Sequence, residues 1–355
     1  VSKKILALHF TGGDYLQNMI YDGMARLFGR KNVIEFPEDY RLHAPKDTDD
    51  YDCMNYRYVD EFSDNGKNGA RNWEENDILE MARNGDFAVM LYPSVLDRSK
   101  DAHAYEFAKE VAKHIKHIVI VDDTEHARNP DVYSTMGDEL AGKQYFYFKR
   151  EMTRMEYKVG RFGDVLPLPF CASEQHNNPR IFNDYTQPKK WDLYWRGHVY
   201  ADLAFNRGVN IAQSQLSSFN NMGWFSYLHG LHEYNIDRKT YLEELTQSLV
   251  GFSIQGFGQD TVRYWEIPYS GTLLFSQRTK QIIPNNYVDM REAIFFDYKL
   301  RDIRERFVWC LNNKQKVAEI AENGYQRTLQ CHTTQKRTEY ILNCIGAKYD
   351  KDGIV

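Results

Sequence analysis

No apolar run in the chain approaches the roughly 20 residues needed to cross a bilayer. The opening stretch Val1-Ser2-Lys3-Lys4-Ile5-Leu6-Ala7-Leu8-His9 is too short for a signal peptide and too polar beyond its apolar core, and it reads as a first strand. Cysteine is scarce. Cys53, Cys171, Cys310, Cys331 and Cys344 are odd in number and widely spaced, which speaks for a reducing, cytoplasmic setting and against a disulfide framework. No Cys-x-x-Cys pattern is present. The pairs His114-x-x-His117 and His229-x-x-His232 have ligand-like spacing but read as structural histidines, the first at a helix end and the second in an aromatic-rich segment. Excess positive charge is also missing. A formal net charge of −5 and a pI of about 6.2 argue against a general polyanion binder or stable nucleic-acid binding. Thr11-Gly12-Gly13-Asp14 follows the first strand where a nicotinamide-dependent oxidoreductase would carry Gly-x-Gly-x-x-Gly. Tandem repeats and low-complexity tracts are absent.

What is present is a globular composition, 42% hydrophobic and 27% charged over 355 residues, enough for two domains. Aromatics reach 14%, with 25 tyrosines, and flat rings suit the C–H faces of sugars. The pattern opens as βαβ. Ile5–Leu8 is a buried strand, residues 14–28 recur at helical spacing (Leu16, Met19, Ile20, Met24, Leu27, Phe28), and 32–36 is a second strand. Such an opening implies a parallel sheet with right-handed crossovers. Residues 37–75 form a polar insertion holding Asp47-Thr48-Asp49 and Asp50-Tyr51-Asp52, read as solvated rather than metal-binding, because neither ends a hydrophobic strand. A helix is predicted over 75–83, a strand over 87–92, a helix over 105–114 and strands over 118–121 and 145–150. The proline-rich stretch at 165–187 reads as an interdomain linker. Beyond it lie a strand from Trp191, a helix over about 239–250, and C-terminal helices over about 300–311 and 315–331.

The most informative stretch is Ser253-Ile254-Gln255-Gly256-Phe257-Gly258 followed by Arg263-Tyr264-Trp265-Glu266-Ile267-Pro268-Tyr269-Ser270-Gly271-Thr272-Leu273-Leu274-Phe275. It reads as strand, glycine-rich turn, short helix, glycine stop and strand. A helix N-terminus abutting a glycine turn suits a phosphate, and a carboxylate in its first turns suits ribose or sugar hydroxyls. The competing reading makes Arg263 and Glu266 a solvated i, i+3 helix pair.

These residues resemble the CgeB-type glycosyltransferases, a branch close to the group-1 glycosyltransferases. The likeness lies in Arg263-x-x-Glu266 with Gly271-Thr272-Leu273-Leu274. It continues in Phe295-Phe296-Asp297-Tyr298-Lys299-Leu300, in Ile320-Ala321-x-x-Gly324 and in His332-Thr333-Thr334-x-x-Arg337. It covers roughly 189–345 well and the first half only in strand order and in Gly12-Gly13-Asp14-Tyr15-Leu16. The resemblance implies an α/β GT-B fold, two Rossmann-like domains facing each other across a cleft. Residues 1–170 would bind the acceptor and 185–345 a nucleotide sugar, UDP-linked, with 346–355 as a tail. It implies hexosyl or pentosyl transfer to a hydroxyl of a glycan, protein or modified nucleobase, without a metal or other cofactor. Glu266 matches the second glutamate of the group-1 pair; Gly258 stands where the first belongs, so retention of anomeric configuration does not follow.

Negative charge grows on the leaving diphosphate during glycosyl transfer, so donors or cations must face it. The candidates are the N–H groups around Gly256 and Gly258, Arg263, and Arg196 at the end of the second domain's first strand. Glu266 is expected on the ribose, with His332 and Thr333, opening a last helix, also on the donor side. If the reaction inverts, a base is required. Asp14 and Asp123, each at the carboxyl end of a strand, are the candidates, against structural roles as a helix N-cap and a loop carboxylate. A degenerate GT-B protein that binds without turnover is the non-enzymatic alternative.

Overall fold

The alternation of apolar strands with amphipathic helices builds two separate, largely parallel sheets in the computed structural model. The structure describes residues 3–9, 15–37, 73–93, 101–124, 145–153, 158–159, 163–173, 182–199, 203–228, 236, 238–256, 258–350 and 353–354. The chain divides into two compact units, Val1–Phe170 with Thr334–Val355, and Cys171–Thr333.

The first unit contains β1 (Lys4–Leu8), α1 (Tyr15–Phe28), β2 (Val33–Phe36), α2 (Glu75–Arg83), β3 (Phe87–Pro93), α3 (Ala102–Ala112), β4 (His117–Asp122), β5 (Tyr145–Lys149), β6 (Lys158–Val159) and β7 (Gly163–Pro167). Its strand order is β2-β1-β3-β4-β5-β7-β6. Every pairing is parallel except β6 with β7. Parallel strands are covered on both faces, so they read as unbroken apolar runs; all seven residues of β3 are buried. Capping fixes where the helices start. Glu74 and Asp77 form a reciprocal capping box on α2. Asp101 accepts the Ala104 N–H at 2.9 Å, which starts α3 three residues before the periodicity predicts.

The second unit contains β8 (Trp191–Val199), α4 (Leu203–Leu216), β9 (Met222–Leu228), α5 (Arg238–Thr246), β10 (Ser248–Ser253), α6 (Val262–Tyr269), β11 (Leu273–Gln277), β12 (Ile294–Phe296), α7 (Ile303–Asn312) and α8 (Lys314–Cys331). The order β12-β11-β10-β8-β9 is parallel throughout. In both units the second strand lies outside the first and the third lies on its other side. Strand order therefore reverses between β1 and β3, and again between β8 and β10. Such switch points, at the carboxyl ends of the strands, are where open α/β sheets leave a crevice for ligands.

Four expectations change. The helix over 239–250 stops at Thr246, and Ser248–Ser253 is a central strand. A short apolar run fits either state by periodicity, and pairing with β8 and β11 on its two sides decides it. The segment 165–187 is not a free linker. Val165–Pro167 pair with β5, and Asn183 and Tyr185 donate to the carbonyls of Ser248 and Leu249 at 2.9 Å each. The second domain ends at Thr333, not at 345, because α9 (Thr334–Cys344) packs on α1 in the first unit. There Thr334 donates to the fully buried Asp22, and Arg337 donates to the Phe170 carbonyl at 2.9 Å. A Cβ on Gly23 would lie 2.2 Å from the Thr334 carbonyl, so only glycine permits this approach. The expected tail at 346–355 holds β13 (Tyr349–Asp350) and β14 (Gly353–Ile354), an antiparallel pair bridged to Lys3.

Among the described residues Cys310, Cys331 and Cys344 form no disulfide. Among the described residues no helix is long and apolar enough to cross a membrane.

Candidate functional site

The carboxyl edge of the second sheet, at its switch point, gathers the residues of the glycine-turn motif. Asp260 anchors the entry to α6 by accepting the Trp265 indole N–H at 2.9 Å, and Thr261 is the extended N-cap residue. Tyr264, Trp265, Ile267, Pro268 and Tyr269 are buried, which leaves Arg263 and Glu266 half-buried on the same side, one turn apart. Gly271, at φ 73°, ends the helix. Its N–H donates to the Pro268 carbonyl at 3.0 Å, while Thr272 N–H reaches Ile267 at 3.2 Å.

Arg263 makes no ion pair with Glu266. Its Nη1 donates to the Arg196 carbonyl at 3.4 Å, and its guanidinium lies 5.7 Å from the Trp195 ring centroid. Its Nε is buried without a partner. Trp195 packs against Trp224 with the rings tilted by 32° and centroids 4.9 Å apart, and both indole N–H groups are likewise buried and unpartnered. Three buried donors without acceptors thus belong to side chains packed on one another. A buried unpaired donor costs about 1–3 kcal/mol, a cost removed when an acceptor arrives. The arrangement can receive an anion.

The structure corrects the placement of Arg196, which lies within β8 and not at its end. Its Nη2 pairs with Glu244 at 3.0 Å, its Nε donates to the Tyr194 hydroxyl at 3.2 Å, and Tyr194 donates to Glu244 at 2.7 Å. Burial, reinforced by Glu244, pushes the Tyr194 phenol well above its ordinary range. For Arg196, burial works against the charge, but Tyr194 and Glu244 outweigh it and raise the guanidinium further. The side chain is neutralised locally; its carbonyl steadies Arg263.

The glycine turn also differs from expectation. Gly256 N–H already donates to the Gly258 carbonyl at 2.9 Å, and Gly258 is buried. Glutamines hold the turn instead. Gln277 accepts the Gln255 N–H at 3.1 Å and donates to the Tyr298 carbonyl at 2.7 Å. Gln259 accepts Lys280 N–H at 2.8 Å and the Thr279 hydroxyl at 3.2 Å. Ser253, Gln255, Gln259, Tyr264, Ser276 and Gln277 are among the residues lining a small cavity of about 10 Å³. Sequence reasoning passed over these glutamines; the available signal was their recurrence beside the glycines and at the end of the next strand.

His332 and Thr333 lie inside the second unit. His332 is fully buried, its Nε2 lies 3.0 Å from the Asn285 carbonyl, and its ring packs 5.0 Å from both Trp265 and Tyr287. Thr333, 2% exposed, bridges to Ala172. In the first unit Asp123 is engaged rather than poised as a base. Its Oδ1 lies 2.9 Å from Arg150 Nε, and its Oδ2 accepts the Leu16 N–H at the start of α1. Asp14, the Asp47–Asp52 segment, His229 and His232 lie outside the described residues. Among the described residues no group of three or more His, Cys, Asp or Glu is placed to hold a metal.

Residues 201–343, less than half of the chain, match the sequence model of a glycosyl transferase-like family. No curated protein matches the chain in sequence. Among solved structures it is similar to a glycosyltransferase from Rickettsia africae ESF-5, at TM-score 0.53 and 11% identity over 97% of both chains. It is also similar to Anabaena HepE in complex with UDP-glucose, at TM-score 0.53, 8% identity, 97% of this chain and 99% of that one. HepE in complex with UDP gives TM-score 0.52 with the same identity and coverage. The fold is GT-B. Within GT-B the second unit's switch point holds Arg263 and Glu266, and the first unit's holds the carboxyl ends of β1 and β3.

Proposed function

We propose that this chain is a nucleotide-sugar-dependent glycosyltransferase that moves a sugar from a UDP-linked donor to an acceptor hydroxyl without a metal. The observation that carries the reading is the Arg263 guanidinium, paired with no carboxylate among the described residues and with its Nε unsatisfied, at the start of α6 on the switch point. A cation beside a helix N-terminus suits the developing charge of a leaving diphosphate. Glu266, one turn further on, takes the ribose hydroxyls. The family match over 201–343 supports transfer chemistry, and the motif resemblance to CgeB-type enzymes supports the donor assignment. The donor belongs to the second unit and the acceptor, a glycan or similar hydroxyl compound, to the first.

A thermal-shift and hydrolysis screen of the full chain over nucleotide sugars tests this, since a ligand of the native state raises the melting temperature by mass action. UDP and UDP-glucose should stabilise it; no shift with any nucleotide sinks the reading. Gly258, standing in place of a carboxylate, favours a second reading in which the chain binds nucleotide and performs no transfer. Saturable UDP binding with no turnover of any nucleotide sugar selects that one.

A further inference from the structure

Among the described residues, Tyr15 and Phe182 are the Phe, Tyr or Trp side chains that stay exposed. Single exposed apolar residues are common and need no explanation. Phe182 lies against Gly271, ahead of the amino end of β11, and packs on Tyr325. Tyr15, 36% exposed, stands elsewhere. It opens α1, directly after the loop that leaves β1, and so sits at the carboxyl edge, where open α/β sheets meet their ligands. Its ring is backed by a built support. The Phe170 ring, buried shortly after β7, meets it at 6.0 Å with the planes 52° apart. Arg150, just beyond β5, lays its guanidinium 4.4 Å from the Phe170 centroid. Arg150 Nε lies 2.9 Å from Asp123, just beyond β4, and Asp123 accepts the N–H of Leu16, the neighbour of Tyr15. These contacts close a circuit from Tyr15 through Phe170, Arg150 and Asp123 back to the start of α1. Arg337 of α9 holds the Phe170 carbonyl from behind. The exposed ring is therefore oriented before any ligand arrives, and contact with one costs little further ordering.

We propose that Tyr15 is the platform on which a pyranose ring of the acceptor stacks, which makes the acceptor a glycan or glycoside. The inference rests on the glycosyltransferase reading and narrows its acceptor. The axial C–H groups of a pyranose form an apolar face, and their hydrogens suit the negative face of an aromatic ring. Stacking buries both faces and leaves the equatorial hydroxyls at the rim, where one of them can react. Arg150 is neutralised by Asp123, so the platform suits a neutral sugar better than an anionic one. Tyr15, Leu16, Asp123, Arg150, Phe170 and Arg337 all belong to the first unit, and the site is complete within it.

Saturation-transfer difference NMR tests this on the full chain with a mixture of methyl glucopyranoside, galactopyranoside, mannopyranoside and N-acetylglucosaminide. Wild type should saturate the ring C–H protons of at least one of them. Tyr15→Phe keeps the ring and should keep the signal. Tyr15→Leu and Tyr15→Ala should weaken it, with the dissociation constant of the best glycoside rising by about 2- to 10-fold. Leucine separates the roles, because it covers Phe170 as well as tyrosine does but offers no flat face. A merely structural Tyr15 would leave glycoside binding intact in Tyr15→Leu. No transfer to any of the four glycosides in wild type overturns the inference. So does undiminished transfer in whichever of the leucine and alanine variants keeps the wild-type melting temperature. The thermal shift with UDP is read on the same wild-type sample. A UDP shift without glycoside transfer overturns this inference and leaves the donor reading intact. Glycoside transfer through Tyr15 without a UDP shift removes the transferase reading, and the acceptor role with it, and leaves a sugar-binding protein.

Discussion

At the scale of single residues, Arg263 and Glu266 share a helix face but are proposed to contact different parts of a nucleotide, so their variants should separate. Arg263→Ala removes the cation proposed to face the diphosphate and should weaken UDP while leaving uridine unaffected. Glu266→Ala removes the proposed ribose acceptor and should weaken both, by about 10- to 100-fold if one charge-assisted bond of about 1.5–3 kcal/mol is lost. Glu266→Gln should fall between. Calorimetric titration of UDP and uridine into each variant checks this, and equal losses for both ligands in Arg263→Ala would argue against phosphate contact. The spacing of this pair was legible in the sequence because helix geometry fixes i, i+3 neighbours. Its ionic state was not: whether Arg263 met Glu266 or the Arg196 carbonyl depended on a strand 67 residues away.

At the scale of elements, two contacts between distant segments set stability. On α8, Arg327 reaches Glu292 at 2.9 Å, and Glu292 also accepts the Val288 N–H. Burial alone would raise the Glu292 carboxyl, but Arg327, the Val288 N–H and Arg291 outweigh it and hold it below its ordinary value. A carboxyl depressed in the native state contributes stability above its unfolded value, and that contribution disappears as pH falls through the native one. Glu292→Gln should therefore lower the urea midpoint at pH 7, and the gap to wild type should narrow near pH 3. A gap independent of pH would show that charge is not involved.

The junction of α1 and α9 gives the second element-scale expectation. In an isolated helix Gly→Ala stabilises by about 1 kcal/mol. At Gly23 the added methyl meets the Thr334 carbonyl and Thr338 Oγ1, each at 2.2 Å, and overpacking of this kind costs about 1–3 kcal/mol. Gly23→Ala should lower the melting temperature by several degrees, as differential scanning calorimetry will read; an increase would mean that α9 does not pack there.

At the scale of the whole molecule, a donor site built on Arg263 and a helix N-terminus should work without a divalent ion. UDP-glucose binding and hydrolysis should survive chelation. Activity lost in chelator and restored by manganese would move attention to the Asp47–Asp52 segment. The sequence by itself determined the alternation of strands and helices, because hydrophobic period and glycine stops are local signals, and with them the Arg263–Glu266 face of α6. Tertiary structure decided what those signals could not reach. Asp123 proved to be held by Arg150, and His332 to be enclosed by Trp265 and Tyr287. The last helix left the domain its sequence neighbours suggest, through a Thr334–Asp22 bond spanning 312 residues. His9 read only as the end of a strand until β2 brought Glu35 beside it. A side chain's charge, accessibility and basicity depend on the partners that surround it in space, and the folded chain alone supplies them.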